Sequence, residues 1–238
     1  MMVMVNALAG CGKTTTGLWG LGDRVKKGVI ITQEQKAIVE EMRRYNTSSS
    51  SASKTNGTLA ACAFNVSIKN ELQARAPKGI TVATCNGFGN TAWCKHLNIS
   101  KCTVDPYKNS KLFRDLVGKS MEWKERARVE SAVSNIVGLA KSYLFNISAE
   151  SASNWIEGDT WVDGRGAIMW LCDRFDIDND PVVVDYAVKV FLKGVSTESY
   201  IDFDDQNFLP IFYDVKTIPT FDHLLVDEVQ DLNRAKQE

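Results

Sequence analysis

Two short stretches near opposite ends of the chain carry residue types that handle phosphate. The first, Ala7-Leu-Ala-Gly-Cys-Gly-Lys-Thr14, follows the apolar residues 2–5. Small residues let backbone N–H groups turn inward around a polyphosphate, and the start of a helix adds donors and partial positive charge. Ala9, Gly10, Cys11, Gly12, Lys13, Thr14 and Thr15 are therefore candidate nucleotide ligands. Lys13 is placed to reach the β- and γ-phosphates, and the Thr14 hydroxyl to ligate Mg²⁺. Ala7 stands where this pattern usually has glycine. The second stretch is His223-Leu-Leu-Val-Asp-Glu-Val-Gln-Asp-Leu232, a hydrophobic strand that ends in acid. Asp227 would hold Mg²⁺, directly or through water, and Glu228 would orient and deprotonate an attacking water. Each stretch also has a plainer reading: a glycine-rich strand-to-helix turn without ligand, and an acidic N-cap on the next helix.

Such residues need a sheet that delivers them to one edge, and the pattern between them predicts one. Residues 32–45 read as a helix, with Thr32 as N-cap, Gln35 at the capping-box position and Ile38, Met42 and Tyr45 on one face. Residues 46–58 are mostly Ser, Thr, Asn and Gly with Lys54 as the only charge, which predicts a flexible surface loop. Residues 59–64 form a continuous small apolar run suited to a strand covered on both faces. A helix over 67–76, a turn at Pro77-Lys78-Gly79, a strand over 80–84, then Asn86-Gly87-Phe88-Gly89 and a helix through Trp93 to Leu97 complete the rhythm. Alternating strands and helices imply a parallel sheet with helices on its faces.

Between residues 101 and 200 the rhythm changes. A long amphipathic helix over 122–145 and further helices over 167–175 and 181–195 predict an all-helical insertion. Asp173, Asp176, Asp178 and Asp180 resemble a calcium loop in spacing, but its glycine and terminal glutamate are missing. Residues 201–222 are helical in tendency up to Pro219. The expected architecture is an α/β P-loop NTPase core of residues 1–100 and 201–238, interrupted by a helical subdomain over 101–200.

The 238 residues have an ordinary globular composition and a net charge of -1. That balance hides an asymmetry, because residues 1–100 hold 12 Lys and Arg against 5 Asp and Glu, and the remainder 16 against 24. The positive half suits a polyanion, although scattered solvated charges explain it equally well. No segment reaches the apolar length of a membrane span, and no cationic segment precedes the apolar start as in a signal sequence. Six dispersed cysteines without C-x-x-C pairs, and only two histidines, lack metal-site spacing. A reduced, cytoplasmic protein with Cys62 and Cys85 as buried hydrophobes is the simplest expectation.

Asp227-Glu228-Val229-Gln230-Asp231, taken with the Ala7–Thr14 stretch, resembles the UvrD/Rep-like branch of superfamily 1 helicases. The resemblance implies a RecA-like core, ATP and Mg²⁺ as cofactors, single-stranded DNA as partner, and catalytic roles for Lys13, Glu228 and Gln230. Gln230 would link the nucleotide site to neighbouring motifs. Ala63-Phe64-Asn65 resembles the family's single-strand contact motif, where Phe64 stacks on a base and Asn65 touches a phosphate. Thr84-Cys-Asn-Gly-Phe88-Gly89 resembles the next DNA motif, with Asn86 in place of its usual histidine. Strand-end packing of Phe64 and helix capping by Asn86 are the plainer alternatives. The family also places a helical subdomain before the acidic strand, and Asp202-Phe203-Asp204-Asp205 resembles its Asp-Phe-x-Asp segment.

Two departures stand out. The family's adenine-reading glutamine precedes the P-loop, whereas Gln35 follows it and doubles as a capping residue. The later motifs and the second RecA-like core are missing from these 238 residues. The expectation is a chain that binds Mg-ATP and single-stranded DNA but hydrolyses slowly, since the second core normally supplies arginine fingers. A non-catalytic single-strand-binding remnant and a P-loop kinase of small molecules are the alternatives.

Overall fold

The computed structural model describes residues 16, 17, 20, 32–48, 59–76, 79–157 and 160–237. The chain forms two compact units, one of residues 1–85 and 219–231, the other of residues 86–218 and 232–238. The boundaries expected from sequence lay at 100/101 and 200/201. They differ because the flanking segments bury their large side chains in the helical core, as described below.

In the first unit, helix α1 (Gln33–Ser48) begins with a reciprocal capping box. The Thr32 N–H donates to Gln35 Oε1 at 3.1 Å and the Gln35 N–H donates to Thr32 Oγ1 at 3.2 Å. Strand β1 (Leu59–Ala63) is followed by α2 (Val66–Arg75) and β2 (Thr81–Thr84). Strand β7 (His223–Val226) pairs with the other side of β1, giving a parallel sheet of order β2-β1-β7. Ala60 and Ala61 stand opposite Thr81 and Val82 on one side and Leu224 and Leu225 on the other. Ala60, Ala61, Cys62 and Ala63 are buried, as a central strand requires, and Ala61, Ala63, Leu72, Ile80 and Val82 form a small apolar core.

The second unit holds α3 (Cys85–His96) from Asn86 onward, α4 (Lys108–Val117), α5 (Trp123–Ser142), α6 (Gly164–Phe175), α7 (Pro181–Val195), α8 (Asp205–Phe212) and α9 (Arg234–Gln237). Helices α4, α5 and α7 pack on one another around Phe113, Val133, Ile136, Val190 and Phe191. Trp93 of α3 and Phe208 of α8 join this core, and the Trp93 indole donates to the Glu198 carbonyl at 2.8 Å. This packing moves α3 and α8 into the helical unit. Residues 86–89, expected from sequence to precede the helix, are the first part of α3, where Gly89 permits a close approach: a Cβ there would lie 2.0 Å from the Gln206 carbonyl oxygen.

The unit is not all-helical as the sequence predicts. Strands β3 (Thr103–Val104) and β6 (Tyr200–Ile201) pair in parallel, and β4 (Asn154–Ile156) and β5 (Thr160–Val162) form an antiparallel ladder with Trp155 opposite Trp161. β-Branched and aromatic residues supply these short ladders, which helical periodicity does not reveal. Residues 201–222 begin with the end of β6, and their one helix is the eight-residue α8, with Pro210 inside it. In the acidic turn, Asp176 takes a left-handed conformation that ends α6, Asp180 caps α7, and Arg128 pairs with Asp178 and Asp180. These carboxylates therefore have structural work in helix termination and ion pairing. Among the described residues no helix is long and apolar enough to cross a membrane.

Candidate functional site

The parallel arrangement of β1, β2 and β7 places their C-terminal ends along one edge, where ligands bind in open α/β sheets. Asp227 leaves β7 at this edge, and its N–H donates to the Cys62 carbonyl at 3.0 Å, extending the β1–β7 ladder by one bond. Glu228 follows with φ 52°, a left-handed conformation that costs a non-glycine residue roughly 1 kcal/mol or more. Both acids are half-buried. The backbone then enters the 3₁₀ turn Val229–Asp231, which carries Gln230, and the Asp231 N–H donates to the Glu228 carbonyl at 3.0 Å. Tertiary context thus holds Glu228 in a sparsely populated conformation, a frequent feature of functional sites.

At the end of β1, Phe64 is 42% exposed and Asn65 caps α2, its Oδ1 accepting the Ile68 N–H at 2.9 Å. Thr84 ends β2. One edge therefore gathers Phe64, Asn65, Thr84, Asp227 and Glu228. The phosphate-binding candidates Ala9, Gly10, Cys11, Gly12, Lys13, Thr14 and Thr15 lie outside the described residues. Their immediate successors do not: Thr16, Gly17 and Gly20 are helical and buried. A Cβ on Gly17 would lie 2.7 Å from Leu225 Cδ1, so this helical segment packs closely on β7. Gln35, already engaged in its capping box, also donates from Nε2 to Thr16 Oγ1 at 3.0 Å. The capping role expected of Gln35 is observed, and its second bond reaches the segment that follows Thr14.

Asn86 belongs to the helical unit. Its Nδ2 donates to the Phe203 carbonyl at 2.9 Å, and its Oδ1 accepts from Asn207 Nδ2 at 2.9 Å. This side chain ties the start of α3 to the Asp202–Asn207 segment.

That segment contains the strongest electrostatic feature of the described residues, and the sequence alone does not expose it. Lys108, Lys141 and Asp205 have fully buried side chains, and Asp202 is nearly so. Lys108 Nζ lies 2.7 Å from Asp205 Oδ2 and donates to the Gly194 carbonyl at 2.7 Å. Lys141 Nζ lies 2.6 Å from Asp202 Oδ2 and 2.8 Å from Asp205 Oδ1. The Asp202 N–H donates to Asp205 Oδ2 and the Asp205 N–H to Asp202 Oδ1, closing the cluster. Burial opposes the charge of Lys141, but the Asp205 and Asp202 carboxylates outweigh it and raise its pKa. Burial lowers the pKa of Lys108 despite Asp205. Asp204 stands apart: burial, reinforced by the Asp202 carboxylate, pushes it up to about 6. The lysines occupy polar positions of α4 and α5 that read as solvated in sequence. Their only signal was the Asp-rich segment that neutralises them.

Among the described residues no group of three or more His, Cys, Asp and Glu side chains is arranged to hold a metal ion. No protein-family model matches the sequence, and no curated protein matches it.

Proposed function

We propose that the chain is the nucleotide-binding part of an ATP-dependent DNA helicase or translocase, taking Mg-ATP and single-stranded DNA at the sheet edge. The observation that carries this reading is the close packing of Gly17 on Leu225. It brings the helix that follows Lys13-Thr14 against the strand that ends in Asp227-Glu228, the adjacency a P-loop enzyme needs. The donor chemistry agrees, because a half-buried carboxylate with a threonine hydroxyl suits Mg²⁺, which keeps waters and phosphate oxygens as its other ligands. When bound, Mg²⁺ would neutralise charge between the phosphates, with Thr14 and Asp227 holding it.

The chain's own groups then divide the work. Lys13 and the backbone from Ala9 to Thr15 bind the phosphates. Glu228, fixed by its left-handed backbone, orients the attacking water and accepts its proton. Gln230, on the turn beyond it, relays the state of the nucleotide site to neighbouring segments. Phe64 offers an exposed ring to a base, while Asn65 and Thr84 offer polar groups to the backbone of the strand. Asn86 contributes by fixing α3 to the Phe203 carbonyl. The Thr16 bond supports Gln35 as a structural neighbour of the nucleotide site, with adenine contact a further part of the proposal.

Calorimetric titration with Mg²⁺ and a slowly hydrolysed ATP analogue tests the reading. Binding is expected, weakened about 100-fold in Lys13→Ala, as loss of a charge-assisted contact implies. Absence of nucleotide binding, with single-strand affinity indifferent to Lys13→Ala, would sink it in favour of a plain single-strand-binding protein. Turnover stimulated by small phosphoryl acceptors instead of DNA would point to a kinase.

A further inference from the structure

Two pairs of neighbouring thiols occur among the described residues, and their surroundings differ. Cys94 and Cys102 face each other at 3.5 Å inside the apolar core of the helical unit. Burial and the adjacent Cys94 push the Cys102 thiol up to about 12, which suppresses the thiolate that exchange chemistry requires. Cys62 and Cys85 are closer, with Sγ atoms 2.9 Å apart and no disulfide between them.

The sheet itself brings the second pair together. Cys62 is the fourth residue of β1, Cys85 directly follows β2, and Ala63 stands opposite Thr84 in the ladder between them. Backbone hydrogen bonds therefore fix the separation of the two cysteine backbones. Cys62 is buried, while Cys85 is half-buried and opens the 12-residue helix α3. A helix N-terminus favours the thiolate form, and partial exposure admits a small reagent.

We propose that Cys62 and Cys85 form an oxidisable dithiol that reacts with low-molecular-weight disulfides to close a disulfide bond between β1 and the start of α3. The Cys85 thiol loses its proton to solvent, and its sulfur attacks one sulfur of the external disulfide. The external S–S bond breaks and one small thiolate leaves and takes up a proton. The Cys62 thiol, likewise deprotonated, attacks the Cys85 sulfur of the mixed disulfide and displaces the second small thiol. Two protein thiols are oxidised and one external disulfide is reduced to two thiols. The chemistry is independent of any nucleotide at the sheet edge, but it acts close to it: the carbonyl of Cys62 is the acceptor of the Asp227 N–H at 3.0 Å.

The test uses the whole chain in glutathione buffers graded from reducing to oxidising, quenched with acid, alkylated and digested without reduction for mass spectrometry. The expected result is a Cys62–Cys85 linked peptide and an at least tenfold loss of alkylation at both residues, in buffers that leave Cys94, Cys102 and Cys172 alkylated. In Cys62→Ser, Cys85 is expected to stop at the glutathione adduct. Full alkylation of Cys62 and Cys85 in the most oxidising buffer would overturn the proposal. So would a bond from either residue to Cys11, or a Cys94–Cys102 bond that forms first. These outcomes are read in the unsubstituted protein and do not depend on the variant folding.

Discussion

The sheet-bearing unit and the helical unit use ionisable groups in opposite ways. In the helical unit Lys108, Lys141 and Asp205 have no solvent exposure, yet each charge meets another within 2.8 Å. In the sheet-bearing unit Asp227 and Glu228 stay half-buried at a strand end, within reach of a ligand. The shifted ionisations of Lys108, Lys141, Asp204 and Asp205 therefore mark architecture, whereas the candidate chemistry sits at a strand end beside a left-handed backbone position. A search guided by shifted pKa values alone would select the helical unit, because ion-pair networks perturb titration as effectively as active sites do.

Substitutions can break or sharpen this contrast, and the largest effect is expected at the buried cluster. Lys141→Ala leaves Asp202 and Asp205 undercompensated and is expected to lower unfolding free energy by about 3–5 kcal/mol in urea titrations. Gly89→Ala forces a methyl group against the Gln206 carbonyl, with an expected loss of about 3 kcal/mol by the same measurement. Asp204→Asn works in the other direction. The folded state holds the Asp204 proton up to about pH 6, against an ordinary value of 3.8, so stability is lost as pH rises through that window. The amide removes this penalty and is expected to add about 2 kcal/mol at pH 7 and to flatten the pH profile between 4 and 6.

At the sheet edge the expected stability changes are small and the binding changes are not. Asn65→Asp keeps a capping oxygen for the Ile68 N–H, so stability should move by less than about 0.5 kcal/mol. If Asn65 also meets a nucleic-acid phosphate, the added negative charge weakens single-strand binding, which fluorescence anisotropy with a labelled oligonucleotide would show. Unchanged affinity would leave Asn65 as a cap alone.

The sheet strands were legible because continuous small apolar runs bounded by Asn65 and by Asp227 have few other uses. The capping box of α1 and the Asp180-Pro181 start of α7 were legible because their chemistry is local. The start of α3 was not, since its two glycines have low helix propensity. Gly89 instead serves a tertiary contact whose partner, Gln206, lies far along the chain. The buried charges were hidden for the same reason: Lys108 and Lys141 look like solvent-facing lysines until Asp202 and Asp205 are folded onto them. Asp227 and Glu228 stood out in sequence, but the left-handed backbone of Glu228 is set by its surroundings and not by its residue type.

The two-residue ladder between β3 and β6 bears on the order in which the protein folds. Its strands are roughly 100 residues apart along the chain, so closing the intervening segment costs about 4 kcal/mol of chain entropy. Its few backbone bonds, among them those from the Thr103 N–H to the Ser199 carbonyl and from the Asp105 N–H to the Ile201 carbonyl, return only about 1 kcal/mol each. The ladder cannot nucleate the unit and must close after α4, α5 and α7 have collapsed. Substitutions in it should accelerate unfolding and leave the folding rate unchanged.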